Sequence, residues 1–236
     1  MYKLFHLVFH IIFIVGSIHA QTKTHILTSD TAVRIGSEIL RFKGGTKIKI
    51  KDEKTVLAGV LQLDRDLKTI TKLVLPIQAG RNVTFDVSGN LLSGTLRKTN
   101  RVICIKLPKP YYRCIEILGE SDFSLHEDGT LQTCVLKNID GFATAPNGNS
   151  ILFNAGGKVT FRSNGILQSG YLFKDLPSIY GTFKGWCYIE FDEKGKIIKG
   201  VRDYLLPNRR HILDHIEVIN GKISKSKNNY PCNCTF

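Results

Sequence analysis

The feature that most constrains the fold of this chain is a short pattern that occurs five times in it. Residues 79–96 and residues 155–172 align without a gap and are identical at 10 of 18 positions. Looser copies begin at Ile50, Leu125 and Phe191. Because self-similarity at such a spacing indicates units that bury their apolar faces against one another, the sequence predicts a repeat architecture over residues 45–202.

Each copy predicts a β-hairpin. Apolar residues alternate with polar ones, as in Val83 and Phe85, which places them on one face of a strand. A mostly polar stretch ending in glycine follows, as in Asp86-Val-Ser-Gly89, and glycine tolerates the positive φ of a tight turn. A single hairpin is marginal in water. We therefore predict an all-β fold of stacked antiparallel β-hairpin repeats in an elongated or rolled sheet, with an ordinary β-sandwich as the alternative.

The first twenty residues read as a secretory signal peptide. Lys3 gives a positive start, residues 4–15 are mostly apolar, and Ser-Ile-His-Ala20 offers a small-residue cleavage site. An uncleaved membrane anchor is the alternative, but the apolar run is shorter than the roughly 20 residues that a spanning helix needs. We expect cleavage near Ala20 and a secreted, periplasmic or cell-surface location.

The rest of the chain divides into three parts. Residues 21–44 form an N-terminal strand segment, residues 45–202 hold the five hairpin units, and residues 203–236 form a C-terminal segment with a Cys-x-Cys tail. The best helical candidate, residues 212–219, fits a strand equally well.

Six cysteines behind a signal peptide favour disulfides over free thiols. Cys104 and Cys114 flank a Pro-Lys-Pro bend symmetrically, so they are expected to face each other across a hairpin. A loop of this length would contribute about 2–3 kcal/mol. Cys232 and Cys234 in the tail are too close together to pair comfortably, and we expect them to bond to Cys134 and Cys187. The disulfide candidates are Cys104, Cys114, Cys134, Cys187, Cys232 and Cys234.

The chain is strongly basic, with 33 Lys and Arg against 20 Asp and Glu and a formal charge of +13. Such a surface attracts polyanions through a long-range field. The alternative is that the charge only serves solubility in a generally basic proteome. No nucleic-acid signature motif is present. Exposed aromatic residues beside cations suit stacking on sugars, with a half-buried structural role as the alternative. On these grounds the ligand-binding candidates are Lys109, Tyr111, Tyr112, Arg113, Arg209 and Arg210.

The sequence offers no catalytic constellation, cofactor motif or metal-ligand spacing, so no catalytic or metal-binding residue is predicted. His211 and His215 have the i, i+4 spacing of a helical metal site, but the glutamate of the H-E-x-x-H motif is missing. His126-Glu127-Asp128 falls at a predicted turn, where polar residues gather for solvation. An enzyme is the less favoured reading.

The string Phe-x-x-x-Gly-x-Leu-x-x-Gly-x-Leu resembles the β-hairpin repeats of the MORN type and their short secreted bacterial relatives. The resemblance covers about residues 45–202, although the Tyr-x-Gly start and the Gly-x-Gly of typical MORN units are missing. It implies a scaffold for binding or interaction, without a fixed activity and without catalytic residues to transfer.

Together these observations predict a secreted, non-enzymatic β-repeat protein. Its basic surface would bind an anionic polysaccharide, a lipid or a host macromolecule. The alternative is an extracellular hydrolase with an acidic or histidine-containing site at a strand end, and a third option is an assembly component that pairs through exposed strand edges.

Overall fold

The computed structural model describes residues 22–51, 55–99, 102–107, 113–145, 148, 150–205 and 211–228. For residues 204, 205, 211, 212, 227 and 228 it describes the backbone only. Every regular element in these ranges is a β-strand, which confirms the all-β prediction. Within the same ranges, no helix has the length and apolarity needed to cross a membrane.

The chain repeats one four-stranded unit five times. In each unit, two strands form a ribbon and the next two form a hairpin of the main sheet; the ribbons of the first four units are separate two-stranded sheets, whereas that of the fifth joins the main sheet through β21. One strand, β1 (Thr22–Ile26), precedes the units and two, β22 (His211–Ile219) and β23 (Lys222–Asn228), follow them. The strands of the units are, in chain order, β2 (Thr31–Ile35), β3 (Glu38–Phe42), β4 (Lys47–Lys51), β5 (Thr55–Val60), β6 (Arg65–Lys68), β7 (Val74–Ile77), β8 (Asn82–Phe85), β9 (Leu91–Thr95), β10 (Ile103–Lys106), β11 (Cys114–Ile117), β12 (Asp122–Leu125), β13 (Leu131–Val135), β14 (Asp140–Ala143), β15 (Ser150–Phe153), β16 (Lys158–Phe161), β17 (Leu167–Tyr171), β18 (Leu176–Ser178), β19 (Gly181–Phe183), β20 (Tyr188–Phe191) and β21 (Ile197–Leu205).

The main sheet contains 15 antiparallel strands. Its order is β1-β4-β5-β8-β9-β12-β13-β16-β17-β20-β21, and β21 then pairs both with β19 and with β22, which pairs with β23. The five hairpins that the sequence predicts are therefore consecutive neighbours in this sheet. The structural unit begins one ribbon earlier than the sequence motif, because β2 and β3 already form the first ribbon.

The hydrophobic core lies between the main sheet and the ribbons. Val83 and Phe85 on β8 are buried, whereas Thr84 between them is half-buried on the opposite face, as the period of two predicts. The strand after each ribbon turn carries a residue, such as Phe42 or Phe153, whose side chain enters the same core cluster. We call the side of the sheet that faces away from the ribbons the outer face.

The four hairpin turns that the structure describes in the main-sheet part of the units follow one geometry. In the second unit, the Gly89 amide donates to the Asp86 carbonyl, and Gly89 has φ +85°. The pairing register shifts next to this turn, as expected for a turn followed by a glycine bulge. The Asp86 carboxylate also accepts hydrogen bonds from the amides of Ser88 and Asn90. Positive φ recurs at the equivalent glycines of the third, fourth and fifth units, which are Gly129, Gly165 and Gly195.

Three of the hairpin turns, at Gly89, Gly129 and Gly195, pack on the ribbon of the preceding unit. A Cβ added at Gly89 would lie 2.8 Å from the Ile35 side chain, which belongs to the first ribbon. At Gly195 the added atom would lie 2.6 Å from the Thr144 carbonyl oxygen of the fourth ribbon. Adjacent units therefore contact each other at these turns, and the stability of the stack depends on such contacts.

A second turn, between each ribbon and its hairpin, also requires a left-handed residue. Three units use glycine there, whereas Glu120 has φ 57° and Trp186 has φ 68°. The Trp186 side chain is 41% exposed, and its ring centroid is 6.2 Å from that of Phe173. Trp186 is therefore neither a core residue nor fully on the surface. The glycines at this turn are Gly45, Gly80 and Gly156.

Of the described cysteines, three are disulfide-bonded and one is a free thiol. Cys104 and Cys114 form the predicted disulfide, with Cα atoms 5.5 Å apart on β10 and β11. The expectation of a disulfide at Cys134 is wrong, because this residue is a free thiol on the inward face of β13 and is fully buried in the core. Cys187 is buried and disulfide-bonded. Cys232 and Cys234 lie outside the described residues.

Candidate binding face

Six adjacent strands place a small hydroxyl side chain at the same level on the outer face. Register pairs link them in sequence across β8, β9, β12, β13, β16 and β17. We call this set the hydroxyl row. At about 4.8 Å between strands, it extends for about 24 Å across the sheet. Its members are Thr84, Ser93, Ser124, Thr133, Thr160 and Ser169.

The repeat itself produces the hydroxyl row. In Val83-Thr84-Phe85 and in Val159-Thr160-Phe161, the threonine is the outward residue between two core residues. The hydroxyls of Thr84 and Ser93 lie 2.7 Å apart. The row therefore presents short polar side chains that are already ordered by the strands that carry them.

A groove of about 480 Å³ lies along the hydroxyl row at the junctions of the second, third and fourth units. Asp122 on β12 accepts a hydrogen bond from the hydroxyl of Thr95, its register partner on β9. Lys158 reaches the same groove from β16. The lining combines hydroxyl, carboxylate and ammonium groups, which suits a polar ligand. Its residues are Arg81, Asn82, Ser93, Gly94, Thr95, Asp122, Phe123, Ser124, Thr133 and Lys158.

At one end of the outer face, β4 presents three lysines. Lys47, Lys49 and Lys51 alternate with the core-facing Ile48 and the half-buried Ile50, so all three point outward. Successive Cα atoms of these lysines are about 6.6 Å apart. Within the described ranges, no carboxylate forms an ion pair with any of them. We call these residues the lysine triplet.

At the other end of the hydroxyl row, two tyrosines stand side by side. Tyr171 on β17 and Tyr188 on β20 are register partners, and their ring centroids are 5.7 Å apart at an interplanar angle of 66°. We call them the tyrosine pair. A groove of about 470 Å³ adjoins Tyr188 and contains Lys199, His215 and Lys225 among its lining residues.

The lysines in this second groove are partly neutralised. Glu217 lies 3.1 Å from the Lys225 Nζ and 3.8 Å from the Lys199 Nζ. Further along the row, Glu190 is the register partner of both Ser169 and Lys199. The positive charge at this end of the outer face is therefore sparse and interleaved with carboxylates.

Of the ligand-binding candidates derived from the sequence, only Arg113 lies within the described residues. Its Nη1 is 3.0 Å from Asp140 Oδ1, its Nη2 donates to the Gly141 carbonyl, and its guanidinium lies 4.4 Å from the Phe142 ring centroid. Arg113 thus joins the third ribbon to the fourth. Its role in ligand binding stays a prediction, as do those of the undescribed candidates Lys109, Tyr111, Tyr112, Arg209 and Arg210.

The structure places the two histidine motifs on a turn and on a strand. His126 begins the hairpin turn of the third unit, as predicted. His211 and His215 lie on β22, a strand, so the helical metal-site spacing does not apply to them, and their Cα atoms are about 13 Å apart. Among the described residues, no group of three or more His, Cys, Asp or Glu side chains could hold a metal ion.

Sequence reasoning missed the hydroxyl row and the tyrosine pair. The signal for the row was present in the repeat, because Thr or Ser recurs between the core positions. The tyrosines are far apart in sequence, and only the strand register brings them together. No protein-family model, no curated protein and no solved structure matches this chain. The resemblance to MORN-type repeats therefore stays a prediction, whereas the hairpin-repeat architecture rests on the structure.

Proposed function

We propose that the protein is a secreted, non-enzymatic binding protein that holds an anionic polymer on the outer face of its main sheet. One observation carries the proposal. An ordered hydroxyl row crosses six strands, and the lysine triplet, without ion pairs among the described residues, lies on the same face. Hydroxyls can hydrogen-bond to a polar chain while the ammonium groups attract its charges.

The charge balance supports an anionic partner. The chain has a formal charge of +13, so its field attracts polyanions before contact. Lys158 adds an exposed ammonium group between the lysine triplet and the tyrosine pair. Contacts of this kind weaken as salt rises, since the Debye length falls to about 8 Å at physiological ionic strength.

Export is part of the proposal. The first twenty residues have the pattern of a signal peptide, and a disulfide such as Cys104–Cys114 persists in oxidising compartments. A periplasmic or cell-surface location would place the outer face among envelope or host polymers. The resemblance of the repeats to MORN-type hairpins supports a scaffold that binds a partner without catalysis.

The test is retention on a sulfated polysaccharide support, with an uncharged support as the blank. We expect retention that falls steeply with NaCl, and a Lys47→Gln/Lys49→Gln/Lys51→Gln variant that elutes at lower salt. The matched control, Arg34→Gln/Lys68→Gln/Lys106→Gln, removes the same charge from exposed ribbon residues and should elute later than the triplet variant. Equal elution of the two variants would assign retention to net charge alone and reject the outer face.

Two further arms separate the alternatives. Vesicles containing phosphatidylserine test whether a lipid surface competes for the same face. Incubation of the protein with the bound polymer, followed by measurement of released reducing ends, tests the hydrolase alternative. Polymer that remains intact while retention depends on the lysine triplet is the expected result.

A further inference from the structure

The tyrosine pair contributes an edge-to-face contact between β17 and β20, but it lies outside the core. Tyr171 and Tyr188 are 38% and 37% exposed, and their rings lie on the outer face and not in the core. In the described part of the chain, neither phenolic oxygen forms a hydrogen bond. The pair therefore exposes two aromatic surfaces and two polar groups beside a groove of about 470 Å³.

Comparison of the five units shows that the sheet does not need aromatic residues at these positions. The residue after the inward glycine or cysteine of the second hairpin strand is Tyr171 in the fourth unit, and it is Val60, Thr95, Val135 or Val201 in the others. The residue that opens the first hairpin strand is Tyr188 in the fifth unit, and it is Lys47, Asn82, Asp122 or Lys158 in the others. The same register thus pairs Thr95 with Asp122 and Val135 with Lys158. At these two positions, aromatic residues occur only where the fourth and fifth units meet.

The surroundings of the tyrosine pair favour a sugar as the ligand. Tyrosine combines a large apolar ring with a polar hydroxyl, and can stack on the C–H face of a pyranose while its hydroxyl bonds to the sugar. Ser169 and Thr160 of the hydroxyl row continue from the pair along the neighbouring strands. Ser169 is only 6% exposed, so a chain that leaves the tyrosines in this direction first meets the half-buried Thr160 and then Thr133.

The charges near the pair favour a polymer with few negative groups. Lys199 and Lys225 lie in the adjoining groove, but Glu217 is within 4 Å of both, and Glu190 lies on the same face. A nucleic acid has a phosphate on every nucleotide and would meet these carboxylates repeatedly. A partly esterified uronic-acid polysaccharide offers a ring face at every sugar and a free carboxylate at only some of them, which matches the sparse lysines.

From this arrangement we infer that Tyr171 and Tyr188 form a stacking subsite for a pyranose ring of an acidic, uronate-containing polysaccharide. The inference rests on the proposed function, because it names the polymer that the outer face would hold. In this subsite the rings contact the sugar face, and Lys199, Lys225 or Lys158 lies within the region that a carboxylate substituent would reach.

The experiment compares two probes, a partly methyl-esterified oligogalacturonate and inorganic polyphosphate, which is also anionic but has no ring. The variant Tyr171→Thr/Tyr188→Asn introduces residues that other units hold at these positions, so folding is expected to persist and is checked by circular dichroism. We expect its affinity for oligogalacturonate to fall at least about tenfold while polyphosphate binding is unchanged. Tyr171→Phe/Tyr188→Phe should keep most of the affinity, because the stacking surface remains.

The outcomes separate this inference from the proposed function. If the wild-type protein binds polyphosphate but not oligogalacturonate, or binds both with no effect of the Thr/Asn variant, the sugar subsite is wrong and the proposed function stands. Binding of single-stranded DNA that depends on both tyrosines would replace the sugar by a base and overturn the inference. If neither anionic probe binds and the sulfated support does not retain the protein, the proposed function fails; if the support alone retains it, only the sugar subsite is wrong.

Discussion

Arg202 on β21 and Asp214 on β22 form a buried ion pair that closes the C-terminal end of the core. The two residues are register partners, and Arg202 donates to Asp214 Oδ2 from Nε at 3.1 Å and from Nη2 at 2.8 Å. Arg202 Nη1 also donates to the Tyr180 carbonyl, and the Ser226 hydroxyl donates to Asp214 Oδ1. The position of Arg202 is occupied by leucine in the other four units, which are Leu61, Leu96, Leu136 and Leu172.

This substitution of arginine for the repeat leucine gives a first prediction. Arg202→Leu restores the residue of the other units but leaves Asp214, which is 1% exposed, without its cation. We expect a loss of about 3–5 kcal/mol in the free energy of unfolding, measured in urea. The double variant Arg202→Leu/Asp214→Val should recover most of that loss, because an apolar pair of similar volume avoids the unpaired charge. A double variant no more stable than Arg202→Leu would show that the ion pair is not what Asp214 requires.

The packing of ribbons on the main sheet gives a second prediction. A Cβ added at Gly170 would lie 2.7 Å from the Phe153 ring, whereas one added at Gly94 would have its nearest neighbour, Val83, at 3.4 Å. Gly170→Ala should therefore destabilise the protein by about 1–3 kcal/mol. Gly94→Ala, the matched control in the second unit, should change stability by no more than about 1 kcal/mol in either direction. Equal thermal shifts for the two variants would contradict the close contact at Gly170.

The thiol of Cys134 gives a third prediction. Burial raises the pKa of this thiol to about 12, because the core disfavours its charged form. Iodoacetamide at pH 8 should leave Cys134 unmodified in the native protein and alkylate it readily in urea, as read by peptide mass spectrometry. Alkylation in the native state at a rate close to that in urea would place Cys134 outside the core.

Asp175 gives a prediction about pH. The Gly185 amide and the Lys184 ammonium group donate to its carboxylate and hold its pKa below the usual range. A lowered folded-state pKa contributes stability that is present above the unfolded-state pKa and is lost as pH falls through the folded-state value. Asp175→Asn should therefore melt below the wild type at pH 7, with a difference that shrinks as the pH falls below about 4.

The effect at Asp175 should be small, since its side chain is 48% exposed and solvent screens the pair. Glu193→Gln, an exposed acid on the fifth hairpin turn, serves as the control for loss of one negative charge. The same melting difference in both variants at pH 7 would attribute the change to net charge and not to the Asp175 contacts.

The sequence predicts the parts of this fold that depend on local patterns. Alternation placed Val83 and Phe85 in the core, and the glycine after each polar turn marked Gly89 and its counterparts. The ribbons were visible only as strand-forming stretches, because their pairing within each unit depends on tertiary contacts. Cys134 was misread for a similar reason. It occupies the position that glycine holds in the other four units. At Gly59, Gly170 and Gly200 a ribbon phenylalanine leaves no space for a side chain. In the third unit the corresponding ribbon residue is Ile117.

The binding face was less accessible to sequence reasoning. Charge and aromatic content drew attention to Arg113, which the structure places in an ion pair between two ribbons. Tyr171 and Tyr188 become neighbours only through the antiparallel register of β17 and β20. Outward-facing polar residues give no hydrophobic periodicity of their own. A surface built from them can be recognised only once the pairing of the strands is known.

Because the hairpin turns at Gly89, Gly129 and Gly195 each pack on the ribbon of the preceding unit, tandem duplication of one unit would insert two strands into the main sheet and repeat a contact that is already present. Each insertion would lengthen the outer face by about 10 Å. The extent of the outer face is thus set by the number of units and could be changed in whole steps without redesign of the core.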